Sequence, residues 1–305
     1  MQVIELPEPN FEPLSLRFAP DGLLLAAWSW GRVCVLDTAR GTAVAMLGKT
    51  DVGLGSPGVG FTADGRAVVA SQHHAKPPVH VYNLESGEVL RQCPELHGSA
   101  IEVGPGGRLV YLTVNWPGYW VEIVRWNPLT GERLPAFGKH KDSLNQLAVS
   151  ANEKWVAGAN GDTVRVWNLG GPKLPARATR QFTADEFTAE HNRHGIRGLA
   201  IASDGAFVAF NGPGVQIGNV RTGASWTVSP SGVRWGREVA FHPSRPILAY
   251  SGMSREVAFY DAVMRTELKR FAWNIGNVTA TAFSEDGLRC AAAGMDKVVV
   301  WDVDL

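Results

Sequence analysis

The segment VRVWNLGG, residues 164–171, carries the pattern that decides the fold of this chain. A run of β-branched apolar residues closes in a tryptophan and an asparagine, and a glycine pair that favours a turn follows. Short apolar runs bounded by turn residues are typical of strands, whereas helical periodicity is scarce along the chain. The segment therefore predicts a short strand that ends in a turn.

Six further segments repeat this pattern, and each closes in Asp or Asn. Successive Asp or Asn positions lie 41 to 51 residues apart. A regular spacing of this size indicates one supersecondary unit repeated along the chain. Seven units fill the 305 residues, which predicts a single domain over residues 1–305. The other copies are VCVLDTARG (33–41), VHVYNLESG (79–87), EIVRWNPLTG (122–131), VQIGNVRTG (215–223), VAFYDAVMR (257–265) and VVVWDVD (298–304).

A second motif precedes each copy, and it ends in an Asp-Gly or similar turn pair. Such pairs favour tight turns because Asp hydrogen-bonds to nearby backbone and Gly tolerates positive φ. The two motifs together predict several short antiparallel strands in each unit. The clear copies are SLRFAPDG (15–22), GVGFTADG (58–65), AIEVGPGG (100–107), LAIASDG (199–205) and TAFSEDG (281–287), and weaker ones are LAVSANE (147–153) and VAFHPSR (239–245).

The segments VRVWN and VVVWD, the Asp-Gly turns, and the pairs His97-Gly98 and His194-Gly195 resemble the WD-repeat (WD40) family. The resemblance covers essentially the whole chain. It implies an all-β fold: a seven-bladed β-propeller with four-stranded antiparallel blades of about 40–45 residues. Asp162 and Asp296 lie five residues before their tryptophans instead of the family's six, so we expect the family's buried His–Asp network to be disrupted.

The family's strand order leaves the last unit without an outer strand after VVVWD. We therefore expect residues 2–6 to supply that strand and complete blade 7, which would remove an exposed sheet edge. The longest step between repeats, 51 residues, falls after Asn168. It predicts an insertion at about residues 170–194, after blade 4.

Composition excludes several classes of function. Lys plus Arg and Asp plus Glu number 29 each, so no global charge attracts nucleic acid or anionic lipid. The amino-terminal residues show no secretory signal, and the longest apolar run is too short to span a bilayer. Three dispersed cysteines, Cys34, Cys93 and Cys290, suit buried thiols in a reducing compartment. We expect a cytoplasmic protein without contact to a membrane.

In the family topology, the hairpins between second and third strands share one face with the connections between blades. This predicts an aromatic-rich loop face at one end of the central channel. Tryptophan, tyrosine and arginine dominate the energetic centres of protein interfaces. The alternative is that individual tryptophans pack down as lids over the core. The residues predicted for this partner-binding face are Trp30, His73, Trp116, Tyr119, Trp120, His140, Arg234, Trp235, Arg255 and Trp273.

One alternative is a propeller enzyme of the lactonase or hydrolase type, with its site at the central channel. Glu102 and Glu238 are the carboxylates on the predicted inner strands, too few for a hard-metal cage. No nucleophile elbow, metal-protease motif or phosphate-binding loop occurs. Other polar groups predicted at the channel are Arg17, Asn145, Gln146, Arg197 and Arg237.

A second alternative is nucleic-acid binding through Lys173, Arg177 and Arg180, which otherwise form a solvated outer loop. The pairs His191/His194 and His73/His74 lack the spacing of a metal site. We therefore predict a monomeric, non-catalytic scaffold that needs no cofactor or metal and binds a protein or peptide.

Overall fold

A computed structural model describes residues 1–49, 58–71, 79–93, 100–116, 120–184, 195–211, 214–229, 238–251 and 255–304. One short 3-10 turn, Pro105–Gly107, accompanies the strands in these ranges. The strands are β1 (Gln2–Glu5), β2 (Ser15–Phe18), β3 (Leu24–Ser29), β4 (Arg32–Asp37), β5 (Thr42–Gly48), β6 (Val59–Phe61), β7 (Ala67–Ser71), β8 (Val79–Asn83), β9 (Val89–Gln92), β10 (Ile101–Val103), β11 (Val110–Trp116), β12 (Trp120–Trp126), β13 (Arg133–His140), β14 (Gln146–Val149), β15 (Trp155–Asn160), β16 (Thr163–Asn168), β17 (Arg180–Thr183), β18 (Leu199–Ile201), β19 (Phe207–Asn211), β20 (Val215–Asn219), β21 (Ser225–Ser229), β22 (Val239–Phe241), β23 (Ile247–Ser251), β24 (Glu256–Asp261), β25 (Thr266–Ala272), β26 (Ala280–Phe283), β27 (Arg289–Gly294) and β28 (Lys297–Asp302).

The strands form seven four-stranded antiparallel sheets, and each sheet is one blade. Blades 1 to 6 each use four consecutive strands, beginning with β2–β5 in blade 1 and ending with β22–β25 in blade 6. Strands that follow one another along the chain are neighbours in the sheet, so each blade is a simple meander. The predicted seven-bladed propeller is confirmed.

Blade 7 has the order β1-β28-β27-β26, so its outer strand comes from the opposite end of the chain. The register is antiparallel, from Gln2 opposite Val300 to Glu5 opposite Lys297. Ile4 is fully buried, and the Leu6 N–H extends the pairing by donating to the Asp296 carbonyl at 2.9 Å. The predicted closure of the ring by the amino-terminal strand is confirmed.

In blades 1 to 6, an Asp or Asn at or just after the end of the third strand builds the turn into the fourth strand. In VRVWNLGG, the Asn168 side-chain oxygen accepts a hydrogen bond from the Gly170 N–H at 2.8 Å. Asp37 accepts in the same way from Ala39 and Arg40. The repeat needs a short side chain with an acceptor oxygen at this position, which explains why both Asn and Asp occur there.

The Asp-Gly turns between first and second strands are built alike. The Asp64 carboxylate accepts from the Arg66 N–H at 3.1 Å and from the Thr62 hydroxyl at 2.6 Å, and these hydrogen bonds lower its pKa. Gly65 then adopts a φ of 67°, in the left-handed region that glycine tolerates. The turn chemistry predicted from sequence is confirmed here.

Seven buried apolar clusters form the core, one at each junction between neighbouring blades. The cluster between blades 7 and 1 joins Ile4 and Val298 to Leu16 and Leu25. It is built like the other six, so the closing junction is packed as a normal blade junction. Burial between blades is therefore continuous around the ring.

The expected insertion at about residues 170–194 needs correction. Arg180–Thr183 is β17, the outer strand of blade 4, paired with β16 from Thr163 opposite Thr183 to Val166 opposite Arg180. The extra length is thus divided between the connection before this strand and the segment after it. Across the described ranges, none of the helical structure could cross a membrane.

Candidate interaction surface

Five residues of the predicted partner-binding face have described side chains, and all sit at the same end of their blades. Trp30 and Trp120 flank hairpins between second and third strands, and Arg255 immediately precedes β24. His140 ends β13 and Trp273 follows β25, where outer strands lead to the next blade. His73, Tyr119, Arg234 and Trp235 lie outside the described residues, as does the side chain of Trp116, whose backbone ends β11 opposite Trp120.

Trp30 forms the tip of a two-residue hairpin with Gly31. Ser29 pairs with Arg32 across this turn, and the φ angles of Trp30 and Gly31 are 47° and 82°. Two positive φ values define a type I′ turn, for which Asn-Gly is the preferred sequence. A bulky aromatic residue is disfavoured in this conformation. The side chain is nevertheless 38% exposed, so the chain holds an aromatic ring in solvent at some cost in backbone strain.

Trp120 begins β12 and is 36% exposed. The ammonium groups of Lys139 and Lys141 lie 4.8 Å and 5.6 Å from its ring centroid. An ammonium group over an indole face is an attractive cation–π contact. The ring is thereby fixed in orientation while part of its area stays accessible.

Trp273 behaves mainly as the lid that the alternative interpretation predicts. Its ring stacks on Phe271 at 5.5 Å between centroids and tilts against Trp301 at 4.3 Å. The side chain is half-buried at the junction of blades 6 and 7. Arg255 lies beside Trp273, because the Trp273 N–H donates to the Arg255 carbonyl, and the Arg255 side chain is exposed.

His140 turns away from the loop face and into the junction of blades 3 and 4. Its Nδ1 donates to the Gly138 carbonyl, and its ring lies 5.7 Å from that of Trp167. Burial lowers the pKa of His140, so the ring is neutral at pH 7. Because Nδ1 carries the proton, Nε2 of the neutral ring is a bare acceptor, and it has no hydrogen-bond partner.

The polar network of the family's best-formed repeats is absent from blade 4. Asp162 accepts from the neighbouring Thr163 hydroxyl at 2.9 Å, and the buried Trp167 Nε1 has no acceptor. An unpaired buried donor costs about 1–3 kcal/mol. This outcome agrees with the one-residue shift of Asp162 noted in the sequence.

The central channel encloses a volume of about 240 Å³ and brings together most of the described channel residues predicted from sequence. Arg17 forms an ion pair with Glu102 across the channel. Glu238 accepts from the Thr281 N–H at 2.7 Å, and burial raises the pKa of Glu238 to about 8. Gln146 and Arg197 line the same channel, whereas Arg237 lies outside the described residues.

The channel carboxylates are committed to these contacts. In the described part of the chain, no group of three His, Cys, Asp or Glu residues lies close enough to hold a metal ion. The pairs His191/His194 and His73/His74 fall outside that part. The cysteines Cys34, Cys93 and Cys290 are buried, as predicted, and burial raises the pKa of Cys34 to about 12.

One site escaped the sequence analysis: a lateral groove between blades 3 and 4. Its volume is about 440 Å³, and it is lined by Lys139 and His140 of β13, Arg165 and Trp167 of β16, and residues 177–181. We call it the blade 3–4 groove. Arg165 lies between the buried Val164 and Val166 on its strand, so alternation alone could have placed it on the opposite side of the blade.

Comparisons with known proteins agree with this architecture. The sequence model of the WD40 family, described as WD domain, G-beta repeat, matches residues 131–168, which run from β13 through β16. The chain is therefore a seven-bladed β-propeller in which residues 131–168 are similar to a WD40 repeat. The chain is 34% identical over 64 residues to Pre-mRNA-processing factor 19 of Oryza sativa subsp. japonica. That alignment covers 21% of this chain and 12% of the relative.

Proposed function

We propose that this propeller is a non-catalytic interaction module that binds a protein or peptide through its aromatic loop face. The general role of a protein-interaction scaffold follows from the WD40 fold, and the choice of this face rests on the tryptophans. Blades packed by continuous cores hold Trp30, Trp120 and Arg255 in fixed positions, so a partner that binds these residues loses little ordering entropy.

Trp30 is the observation that carries the proposal. A type I′ turn folds best with Asn-Gly, yet this turn holds a partly exposed indole at a positive φ. Stability alone favours a different residue at this position. Strain kept at an exposed aromatic side chain is typical of a binding site.

Trp120 supports the same face from blade 3, where two lysines orient its ring. Arg255 adds an exposed guanidinium at blade 6. Among the residues outside the described ranges, His73, Tyr119, Arg234 and Trp235 stay part of the proposed face, as does Trp116. His140 and Trp273 contribute less, because their rings pack largely inward.

The interaction is tested with a double variant, Trp30→Asn/Trp120→Thr, used as bait for proteins from native lysate. We expect a partner that wild type captures at constant stoichiometry to be lost. Trp30→Asn alone should melt at the same or a higher temperature, because Asn-Gly relieves the turn strain. The matched control is Met264→Ser/Leu288→Ser, two highly exposed apolar residues in turns at the opposite end of the blades.

Loss of the partner with the control variant as well would show that the captured protein recognises exposed apolar surface in general. Retention of the partner by the double variant would show that the aromatic loop face is not the binding surface.

The three buried cysteines fit a reducing compartment, and we propose the cytoplasm as the location and a monomer as the active form. The rice relative is named for pre-mRNA processing, which makes the nucleus the alternative. Imaging of the tagged full chain in living cells distinguishes the two.

A further inference from the structure

The blade 3–4 groove collects positive charge. Lys139, Arg165 and Arg177 line it, and Lys141 lies next to it over the Trp120 ring. Among the described residues, Asp142 is the carboxylate that pairs with a groove cation, through Arg165 Nη2. Asp142 is about half exposed, so an incoming anion could compete with it for Arg165.

Arg180 also lines the groove but has a structural role. Its guanidinium donates to the carbonyls of Val220 and Arg221 in blade 5, each at 3.0 Å. Arg180 therefore ties blade 4 to blade 5. The solvated outer loop suggested by the sequence is wrong for this residue, while Arg177 is exposed.

Three buried nitrogens without hydrogen-bond partners belong to side chains that line this groove: Arg165 Nη1, Trp167 Nε1 and His140 Nε2. The first two are permanent donors, and His140 Nε2 becomes a donor when the ring takes up a proton. Native proteins pair nearly all buried polar groups. Three unpaired nitrogens beside one groove therefore indicate a ligand rich in acceptor oxygens.

We propose that the blade 3–4 groove binds a phosphate monoester, presented as a phosphorylated serine or threonine of a partner peptide. That the phosphate belongs to a peptide rests on the proposed interaction function. The anion site itself is inferred only from the residues of the groove. The phosphate accepts from Arg165 Nη1, in place of or beside the Asp142 carboxylate, and Lys139 and Arg177 neutralise its second charge.

A phosphate monoester fits better than the other oxyanions. It carries close to two negative charges near pH 7 and three acceptor oxygens, and its singly protonated form can donate a proton to His140 Nε2. A carboxylate offers fewer oxygens and one charge. Guanidinium groups are well suited to phosphate because they pair with two of its oxygens at once.

A peptide is favoured over nucleic acid because the positive charge is confined to one groove. Nucleic-acid binding normally neutralises several successive phosphates along a basic stripe. The total charge of the chain is balanced. Of the three cations considered for nucleic-acid binding, Arg180 already donates hydrogen bonds to blade 5.

The test measures binding of O-phospho-L-serine by isothermal titration calorimetry to the full chain at low ionic strength, with L-serine as the ligand control. We expect phosphoserine to bind in the millimolar range and L-serine to give no heat. Arg165→Gln should weaken phosphoserine binding at least tenfold, while Asp142→Asn should strengthen it about threefold by releasing Arg165. Arg66→Gln, an exposed turn arginine of blade 2, is the matched control and should bind like wild type.

Sulfate binding is also measured over a range of pH. Because sulfate stays a dianion throughout, any change in its affinity reports on a titrating group of the protein. The groups that face His140 are the backbone of Gly138 and of Asp142, the Arg165 guanidinium and the Asp142 carboxylate. Because an anion favours the charged ring, sulfate should bind more tightly as the pH falls from 8 to 6. This dependence should disappear in His140→Gln if that variant retains the wild-type melting temperature.

Equal phosphoserine binding by wild type and Arg165→Gln, or none by wild type, overturns the proposal. A ten-nucleotide RNA that binds in the groove while phosphoserine does not would assign it to nucleic acid instead. Phosphoserine binding that survives Trp30→Asn separates this site from the aromatic face, so the two proposals fail independently. Trp120 is kept in this comparison because its ring contacts Lys139, which lines the groove.

Discussion

Glu238 shows how one buried carboxyl group can set the pH response of the molecule. Its pKa is raised to about 8 chiefly by burial, with the Glu102 charge acting in the same direction, while Thr281 and Arg17 oppose the shift. A folded-state pKa above the unfolded value means that the folded protein holds the proton more tightly. The stability from this group is fully present below about pH 4.5 and is lost as the pH rises through about 8.

Glu238→Gln should remove this pH dependence. Glutamine keeps an acceptor for the Thr281 N–H but cannot ionise in the channel. We expect the variant's advantage in free energy of unfolding over wild type to grow from pH 5 to pH 8 and then to level off. Urea unfolding at each pH measures it, with the exposed Glu132→Gln as the control. An advantage that does not change with pH would show that Glu238 stays ionised in the folded channel.

At the residue scale, the sequence predicted which channel residues meet but not how they behave. Inner-strand placement was enough to bring Glu102 and Glu238 to the channel. The raised pKa of Glu238 depends on burial and, to a smaller extent, on the Glu102 charge from a different blade, and no local pattern encodes either cause. The strain at Trp30 was missed for a similar reason, since it follows from a two-residue turn whose length is set by register.

At the scale of elements, strand β1 offers a direct comparison between its two faces. Ile4 is fully buried in the cluster between blades 7 and 1, whereas Val3 is 49% exposed on the other face. Ile4→Ala should cost about 2–5 kcal/mol, because it leaves a cavity in a packed junction. Val3→Ala should cost well under 1 kcal/mol, since little buried area is lost.

Calorimetric melting of the two variants tests this asymmetry. For a chain of this size we expect Ile4→Ala to melt about 4–10 °C below wild type. Removal of residues 1–8 should lower the melting temperature further, because it also exposes the edge of β28. Similar melting of the truncated chain and wild type would mean that β1 adds nothing to blade 7.

Element prediction worked best for the three inner strands of each blade and worst for the outer ones. Third strands such as VRVWN have buried residues and a turn-forming Asn, and both features are visible in the sequence. Outer strands have one neighbour in the sheet and face solvent: β9 is exposed at all four positions, and β17 reads RQFT. With so weak a pattern, residues 180–183 were assigned to an insertion instead of a blade.

At the scale of the whole molecule, the seven junctions form an unbroken ring of apolar packing. Linear repeat arrays can unfold unit by unit because their end units have one neighbour. Here every blade has two, including blade 7, which packs against blade 1. We expect a single cooperative thermal transition with equal calorimetric and van't Hoff enthalpies.

The Ile4→Ala variant gives a stricter test of the single cooperative transition. It weakens the closing junction, so the ring should still unfold in one step, at a lower temperature. A separate early transition in this variant, confined to loss of blades 7 and 1, would show that the junctions act independently.

The pairing of β1 with β28 also has a consequence for how the protein is made. The two strands are separated by nearly the entire sequence, and a ribosome adds about 5–20 residues per second. Roughly 15–60 seconds therefore pass between synthesis of β1 and synthesis of its partner. During that interval the buried side of β1, including Ile4, has nothing to pack against, and the apolar sides of the first and most recent blades stay uncovered. The nascent chain is thus prone to aggregation until β28 has been synthesised, and chaperones that bind apolar surface would matter most during that interval.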